Sequence, residues 1–330
     1  MKDLSYSSNH ICESKFCLNQ IDFNILYPEK ISYLAQFFLQ NTYQGDADIT
    51  ISSKIDFVDK LEIPENAIKI SNSILKASNS ILYWFNDNLQ IKLIHVSCKE
   101  ITSHIRLYYK KGYKTRIKAL LRRSNLNEDY LPFIYVQALR HAILYPYFVL
   151  MNANFGVTLS HGSAFCKNNK GFGILGFDGV GKSSIVSEVL QMSADVISDN
   201  FVLYDQNKIY FVPDPLRIYD KDTSHLFGKT FKKLDTKLEK ISNTALIYTY
   251  LGNEYWIKKK DIALLNQINR SFFNFLPEFY DLNRYITVIK LFNPDLNYVD
   301  LLNSQQVKLY ECQRANIEDN RRLINEILLF

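Results

Sequence analysis

Residues Gly176 to Ser183 read Gly-Phe-Asp-Gly-Val-Gly-Lys-Ser and satisfy G-x-x-x-x-G-K-[ST] at every fixed position. Glycine lacks a Cβ, so Gly176, Gly179 and Gly181 let the backbone turn with its N–H groups facing inward around an anion. Asp178 and Val180 lie within the turn. Lys182 brings a point charge to β- and γ-phosphates, Ser183 offers a hydroxyl to Mg²⁺, and Ser184 follows in the first turn of a helix. The flanks have the order that this loop requires. Gly171–Leu175 reads as a short buried strand. Ser183–Met192 reads as a helix with Ile185, Val186, Val189 and Leu190 on one face. The helix N-terminus adds a favourable dipole for phosphate.

A length of 330 residues suggests about two domains. With 47% hydrophobic and 22% charged residues, the chain has the composition of a globular protein with a sizeable core. A formal charge of +5 is small for this size and gives no reason to expect nucleic acid as a partner. The aromatic content suits packing first and a peptide groove second. Cys12, Cys17, Cys98, Cys166 and Cys312 are scattered without a CxxC pair, which argues against a zinc site and a disulfide framework and for reduced thiols in the cytoplasm. The N-terminus lacks an apolar signal core. The most apolar stretch, His141–Leu159, is interrupted by Pro146, Asn152 and Asn154; it reads as a buried helix running into a strand and not as a membrane span.

Residues 1–20 are polar and read as loosely ordered or as a short first strand. Ala47–Ile51 and Ile91–Val96 alternate like half-buried strands, while Tyr33–Leu39 suits either type of element. Arg106 to Arg123 is a basic run without an acid, either a docking surface for an acidic partner or a solvated face. Ser124–Glu128 resembles a capped helix start, and a long apolar helix is expected over 129–151. The domain boundary is therefore expected near Ser124, with an α+β domain over 1–124 and the loop-bearing α/β domain over 125–330. Strands are expected at Val157–His161, Asp195–Ser198, Phe201–Tyr204 and Lys208–Val212, and a buried strand at Ile286–Leu291. Residues 219–285 read as mixed and mainly helical, and Asn316–Leu329 as an amphipathic helix.

Phosphoryl transfer also needs a carboxylate near the metal or the nucleophile. Asp199 follows the strand after the loop helix, which returns it beside the phosphates, as a metal ligand or as a base for an attacking hydroxyl. Asn200 can give a neutral oxygen to the metal. His161, read at the end of the strand before the loop, can bond a phosphate or orient a carboxylate. Arg217 follows the stiff Pro213-Asp214-Pro215 segment and can stabilise developing charge on a phosphoryl group.

Taken together, Leu159–Ala164 with His161, Gly173–Gly176, the glycine loop, Val196–Asn200 and Pro213–Arg217 resemble the HPr kinase/phosphorylase superfamily. That family is similar to phosphoenolpyruvate carboxykinase around its nucleotide site. The resemblance spans about residues 130–220, with a weaker echo at Ile286–Leu291. It implies a mixed-sheet P-loop kinase domain after the α+β domain, with ATP and Mg²⁺ as cofactors. By the same resemblance Lys182 contacts phosphates, Ser183 binds Mg²⁺, Asp199 is the catalytic carboxylate, His161 assists at the phosphoryl site and Arg217 touches phosphate. Ser184 stands where the family's carbon-regulation enzymes have Glu, and Asn200 where they have a second Asp. Their downstream glycine-rich region has no counterpart. The chain thus looks like the divergent branch found in peptide natural-product clusters, including those for lasso peptides, some of whose members phosphorylate a Ser of the precursor. The expectation is a cytoplasmic kinase with a peptide or small-protein substrate, and the family's habit implies a homo-oligomer. A nucleotide-binding protein that has lost transfer activity and a small-molecule kinase stand as the other readings.

Overall fold

The computed structural model describes residues 10–39, 47–61, 63–86, 88–108, 134–219, 229–232, 234, 240–294, 296, 307–316 and 318–329. The expected boundary near Ser124, its capped helix start and all but the beginning of the basic run lie outside these residues. The chain is mixed α/β with two mixed sheets. It divides into two units, Met1–Tyr147 with Thr287–Leu296, and Phe148–Ile286 with Asn297–Phe330.

The first unit carries a sheet of eight strands: β1 (Ile11–Leu18), β2 (Ile21–Pro28), β3 (Ile49–Val58), β4 (Ile68–Ser71), β5 (Ile74–Ala77), β6 (Ser80–Asn86), β7 (Leu89–Val96) and β8 (Glu100–Tyr108). Their order is β1-β2-β3-β8-β7-β6-β5-β4, and β2, β3 and β8 run parallel to one another. In β2, β3 and β8 buried residues alternate with half-exposed ones, the mark of a sheet with one covered face. The polar N-terminal stretch thus contains a full strand, and Tyr33–Leu39 begins in a single helical turn, Ser32–Ala35.

Helix α1 (134–155) begins in this unit, and the unit division falls within it. Arg140–Leu144 is wound as a π-helix just before Pro146. Pro146 has no N–H for the carbonyl of Ala142, and Ser53 Oγ donates to that carbonyl at 2.9 Å. Ser53 Oγ also lies 2.9 Å from Ser103 Oγ, so two neighbouring strands share one buried polar contact.

The second unit contains β9 (Thr158–Lys167), β10 (Lys170–Leu175), helix α2 (Lys182–Gln191), β11 (Asp195–Ser198), β12 (Phe201–Tyr204), β13 (Lys208–Tyr210), β14 (Leu216–Tyr219), β15 (Lys229–Lys232), β16 (Lys240–Leu251) and β17 (Trp256–Lys260). Helix α3 (Ile262–Phe275), helix α4 (Pro277–Phe292), whose residues from Thr287 on belong to the first unit, strand β18 (Leu309–Arg314) and helix α5 (Asp319–Ile327) follow. Strands β10, β9, β12, β13 and β16 pair in turn, and β16 returns to pair with β10, so their hydrogen bonding closes in a ring. Strand β16 also carries β18 and then β17. Strands β10, β16 and β18 are parallel, so the chain leaves β10 at the same end as the C-termini of β16 and β18. Under one face, Ile185 and Val189 of α2 and Leu323, Ile324 and Ile327 of α5 share a core with Phe172, Ile174 and Ile247.

Two sequence expectations need correction. Ile286–Leu291 is not a strand but the last turns of α4. Its β-branched run favours strand, yet Phe279, Leu282, Tyr285, Val288 and Ile289 are all buried at helical spacing, and that packing decides the element. The segment 219–285, read as mainly helical, contains the long strand β16 and its neighbour β17 before two helices begin. The β-branched and aromatic residues of Ile241–Leu251 are stabilised there by pairing with strands distant in sequence.

Candidate functional site

Strand β9 is buried almost throughout, because partners lie along both of its edges: β10 on one, β11 and β12 on the other. It runs through His161, Gly162 and Ser163, so His161 is an interior strand residue and not the strand's end. Gly162 is required here. A Cβ at this position would lie 2.4 Å from the carbonyl oxygen of Ile174 on β10. The hairpin from β9 to β10 turns through Asn168 and Asn169, both in left-handed conformation.

The glycine loop leaves β10 after Leu175, which faces Gly162. Gly176 N–H donates to the carbonyl of His161 at 3.3 Å and ties the loop's first residue to β9. Gly179 and Gly181 have φ of +81° and +84°, conformations that a side chain would strain. Helix α2 starts directly after Gly181 with no side-chain cap and no acidic residue in its first turn. Its leading N–H groups are the kind that an anion completes.

Lys182 is buried, and its Nζ donates to the carbonyl of Phe177 at 2.9 Å. The same ammonium is 4.0 Å from Asp178 Oδ1, which in turn lies 3.1 Å from His161 Nε2. Asp178 is thus a shared anchor at the exposed tip of the loop. The His161 ring meets Phe272 and Phe279 edge-on, with centroids 5.6 and 6.1 Å apart, so α3 and α4 fix its orientation. Ser183 is exposed and Ser184 half-buried in the first turn of α2.

Asp199 and Asn200 connect β11 to β12, and both of these strands pair with β9. Ser198 faces Ala164 and Phe201 faces His161, so the connecting pair stands opposite Gly162 and Ser163. Ser163 Oγ donates to Asp199 Oδ1 at 2.8 Å, and Gly162 N–H donates to the carbonyl of Asn200 at 3.3 Å. Asn200 has φ of +80°, a conformation that asparagine tolerates better than most residues. Asn200 Nδ2 and Ser198 Oγ are buried with no hydrogen-bond partner among the described residues. His161 and Ser163 share one face of β9, so one strand reaches both the loop and the carboxylate.

Arg217 lies on β14, paired opposite Phe231 of β15, and only its backbone is described. Its expected approach to a phosphate is therefore not among the contacts observed.

One residue at the loop has no counterpart in the sequence reading. Arg314 ends β18 and is only 1% exposed. Its Nε donates to Thr249 Oγ1 at 2.9 Å, Nη1 to Asn320 Oδ1, and Nη2 to the carbonyl of Val180 within the glycine loop. Burial pushes the guanidinium below its ordinary pKa, and an arginine nonetheless keeps its proton. No local pattern in the sequence marks Arg314, whose strand is held by pairing with the distant β16.

Oxygen donors around the loop suit a hard cation. Ser183 supplies a hydroxyl and Asp199 a carboxylate, and Mg²⁺ takes such a partial set together with phosphate oxygens and water. Among the described residues no group of three or more His, Cys, Asp or Glu could hold a metal by itself. Any Mg²⁺ bound here would complete its coordination with water or with oxygens of a ligand.

Fold and loop together define an α/β unit in which a strand, a glycine turn and an uncapped helix follow in order, and in which β9 links the turn to the buried Asp199 carboxylate. No protein-family model matches the chain, and no curated protein matches it either. Among solved structures, the Hpr(Ser) kinase/phosphatase from Coxiella burnetii is similar at 11% identity and a TM-score of 0.28, over 51% of this chain and 99% of that one. Among the described residues no helix is long and apolar enough to cross a membrane.

Proposed function

We propose that the chain is an ATP- and Mg²⁺-dependent kinase that transfers the γ-phosphoryl group to a hydroxyl, that of a Ser in a peptide or small protein. The observation that carries this reading is the double use of β9. His161 bonds the loop through Asp178, and Ser163, two residues on, bonds Asp199. A phosphate cradle and a buried carboxylate are thus held by one rigid element, as positioning catalysis requires. The ordered motif set from Leu159 to Arg217, which resembles the HPr kinase/phosphorylase superfamily, supports the same reading.

In this account the N–H groups of Gly179, Val180 and Gly181 and the first turn of α2, with Ser184, receive the phosphates. Lys182 exchanges the Phe177 carbonyl and Asp178 for phosphate oxygens. Ser183 and Asp199, with Asn200, would hold Mg²⁺, which would supply positive charge to offset that of the nucleotide's phosphates. Asp199 accepts the proton of the acceptor hydroxyl as its oxygen bonds to the γ-phosphorus. The bond from that phosphorus to the bridging oxygen breaks, and ADP departs with the electron pair. Ser163 keeps the Asp199 carboxylate oriented, and Arg217 contacts the transferred group. Residues 1–124 serve as the recognition domain for the acceptor.

The test is incubation with γ-labelled ATP, Mg²⁺ and a library of Ser-containing peptides. Label on Ser, absent with Lys182→Ala, is expected. Tight ATP binding without turnover on any peptide or small hydroxyl compound would replace the kinase by a nucleotide-binding regulator.

A further inference from the structure

We infer that Arg314 is a positioning residue for polyphosphate, holding the Val180–Gly181 peptide so that its N–H faces the bound anion and adding a positive charge against the backbone of the loop. This rests on reading the loop as a polyphosphate site. In a trans peptide the C=O and N–H point in opposite directions. The carbonyl of Val180 accepts from Arg314 Nη2, so the N–H of Gly181 points away from that guanidinium, free to face an anion on the other side of the peptide. A hydrogen bond accepted by the carbonyl polarises the peptide and makes its N–H a stronger donor.

Charge leads to the same place. Among the described residues the three groups that bond the guanidinium are neutral oxygens: the Thr249 hydroxyl, the Asn320 amide and the Val180 carbonyl. Asp319 is the carboxylate whose field it feels, and Asp319 Oδ2 accepts from the N–H groups of Ala315 and Asn316 at 2.7 and 3.2 Å. A buried cation without a bonded carboxylate is expensive to maintain in a fold. An anion seated on the loop would compensate it across one peptide, since the guanidinium packs directly on the loop: a Cβ built on Gly181 would lie only 3.6 Å from both Nη1 and Nη2. The planar fork of arginine makes all three contacts at once, which the single ammonium of lysine cannot reproduce.

The experiment is calorimetric binding of AMP, ADP and ATP to the full chain and to Arg314→Met and Arg314→Lys, with circular dichroism to verify folding. In the wild type, affinity rises with the number of phosphates. In Arg314→Met the loss for ATP exceeds the loss for AMP by at least about tenfold, and Arg314→Lys recovers part of that difference. Equal losses for AMP and ATP would make Arg314 a structural strut and overturn the inference, as would unchanged ATP binding in a folded Arg314→Met. Should Arg314→Met fail to fold, Thr249→Val carries the test. Of the three guanidinium bonds it removes only that of Nε, together with the Thr249 contact to the Cys312 thiol, and a loss of about threefold or more for ATP over AMP is expected, with no such difference overturning the proposal. A wild-type chain that binds none of the three nucleotides would overturn the polyphosphate reading and this inference with it. Wild-type ATP binding that Arg314→Met leaves intact would overturn this inference alone.

Discussion

Ser163 Oγ donates to Asp199 Oδ1 at 2.8 Å, and both residues are buried. The bond fixes one oxygen of the carboxylate from a strand that lies outside the loop. In Ser163→Ala the carboxylate gains rotational freedom without leaving its place. Transfer should slow by about tenfold while the KM for ATP stays the same, and Ser163→Thr should restore most of the rate. Steady-state kinetics with an accepted peptide check the split. An equal rise in KM would show that Ser163 acts on nucleotide binding instead.

Asp178 places a carboxylate beside Lys182, at 4.0 Å, where the account seats anionic phosphates. Asp178→Asn removes a like charge to the incoming ligand and loosens the hold on the lysine. ATP affinity is expected to tighten by about two- to threefold at low ionic strength, with the gain fading as salt is raised. Titration calorimetry at two salt concentrations decides it, and weaker binding in the variant would assign Asp178 a direct part in holding the ligand.

Gly162 separates His161 and Ser163 on β9. Adding a methyl group would press on the Ile174 carbonyl and on Leu175 at once. Gly162→Ala should lose about 1–3 kcal/mol of stability and shift β10 relative to β9. Thermal denaturation should register the loss, and ATP binding should weaken too, since the glycine loop grows from the displaced strand. A variant of native stability would mean that the two strands separate readily.

Burial pushes the Cys312 thiol up to about 12 and raises the Cys166 thiol as well. Burial and a 2.5 Å bond to Asp205 raise the Tyr210 phenol. These groups have higher pKa values folded than unfolded. The stability they contribute is complete below pH about 9 and is lost as pH climbs towards 12. The melting temperature should fall across that interval. At pH 8 iodoacetamide should modify exposed Cys98 and spare Cys166 and Cys312 until the chain is denatured. Prompt alkylation of Cys312 in the native state would contradict its burial.

The parts of the site that are local in sequence were legible in advance. The strand, glycine turn and helix around Lys182 follow from glycine spacing and a 3.6-residue apolar period. The nearness of Asp199 to the loop follows from counting one helix and one strand onward. What escaped notice depends on distant contacts. Arg314 reaches Val180 across 134 residues, and no local pattern marks a strand-terminal arginine as one that turns inward. Strand β16 reads as mixed sequence until β10, β13 and β18 are in place beside it. Ile286–Leu291 shows the opposite failure, since its β-branched residues suggested a strand and helical burial overruled them.

The central claim is that Asp199 performs chemistry at a nucleotide site built by the loop. The most direct measurement is transfer of labelled γ-phosphate to an accepted Ser peptide by the wild type and by Asp199→Asn, with ATP binding measured on the same preparations. The account predicts that the variant still binds ATP but transfers phosphate at least about 10²-fold more slowly. Transfer at the wild-type rate in Asp199→Asn would contradict it.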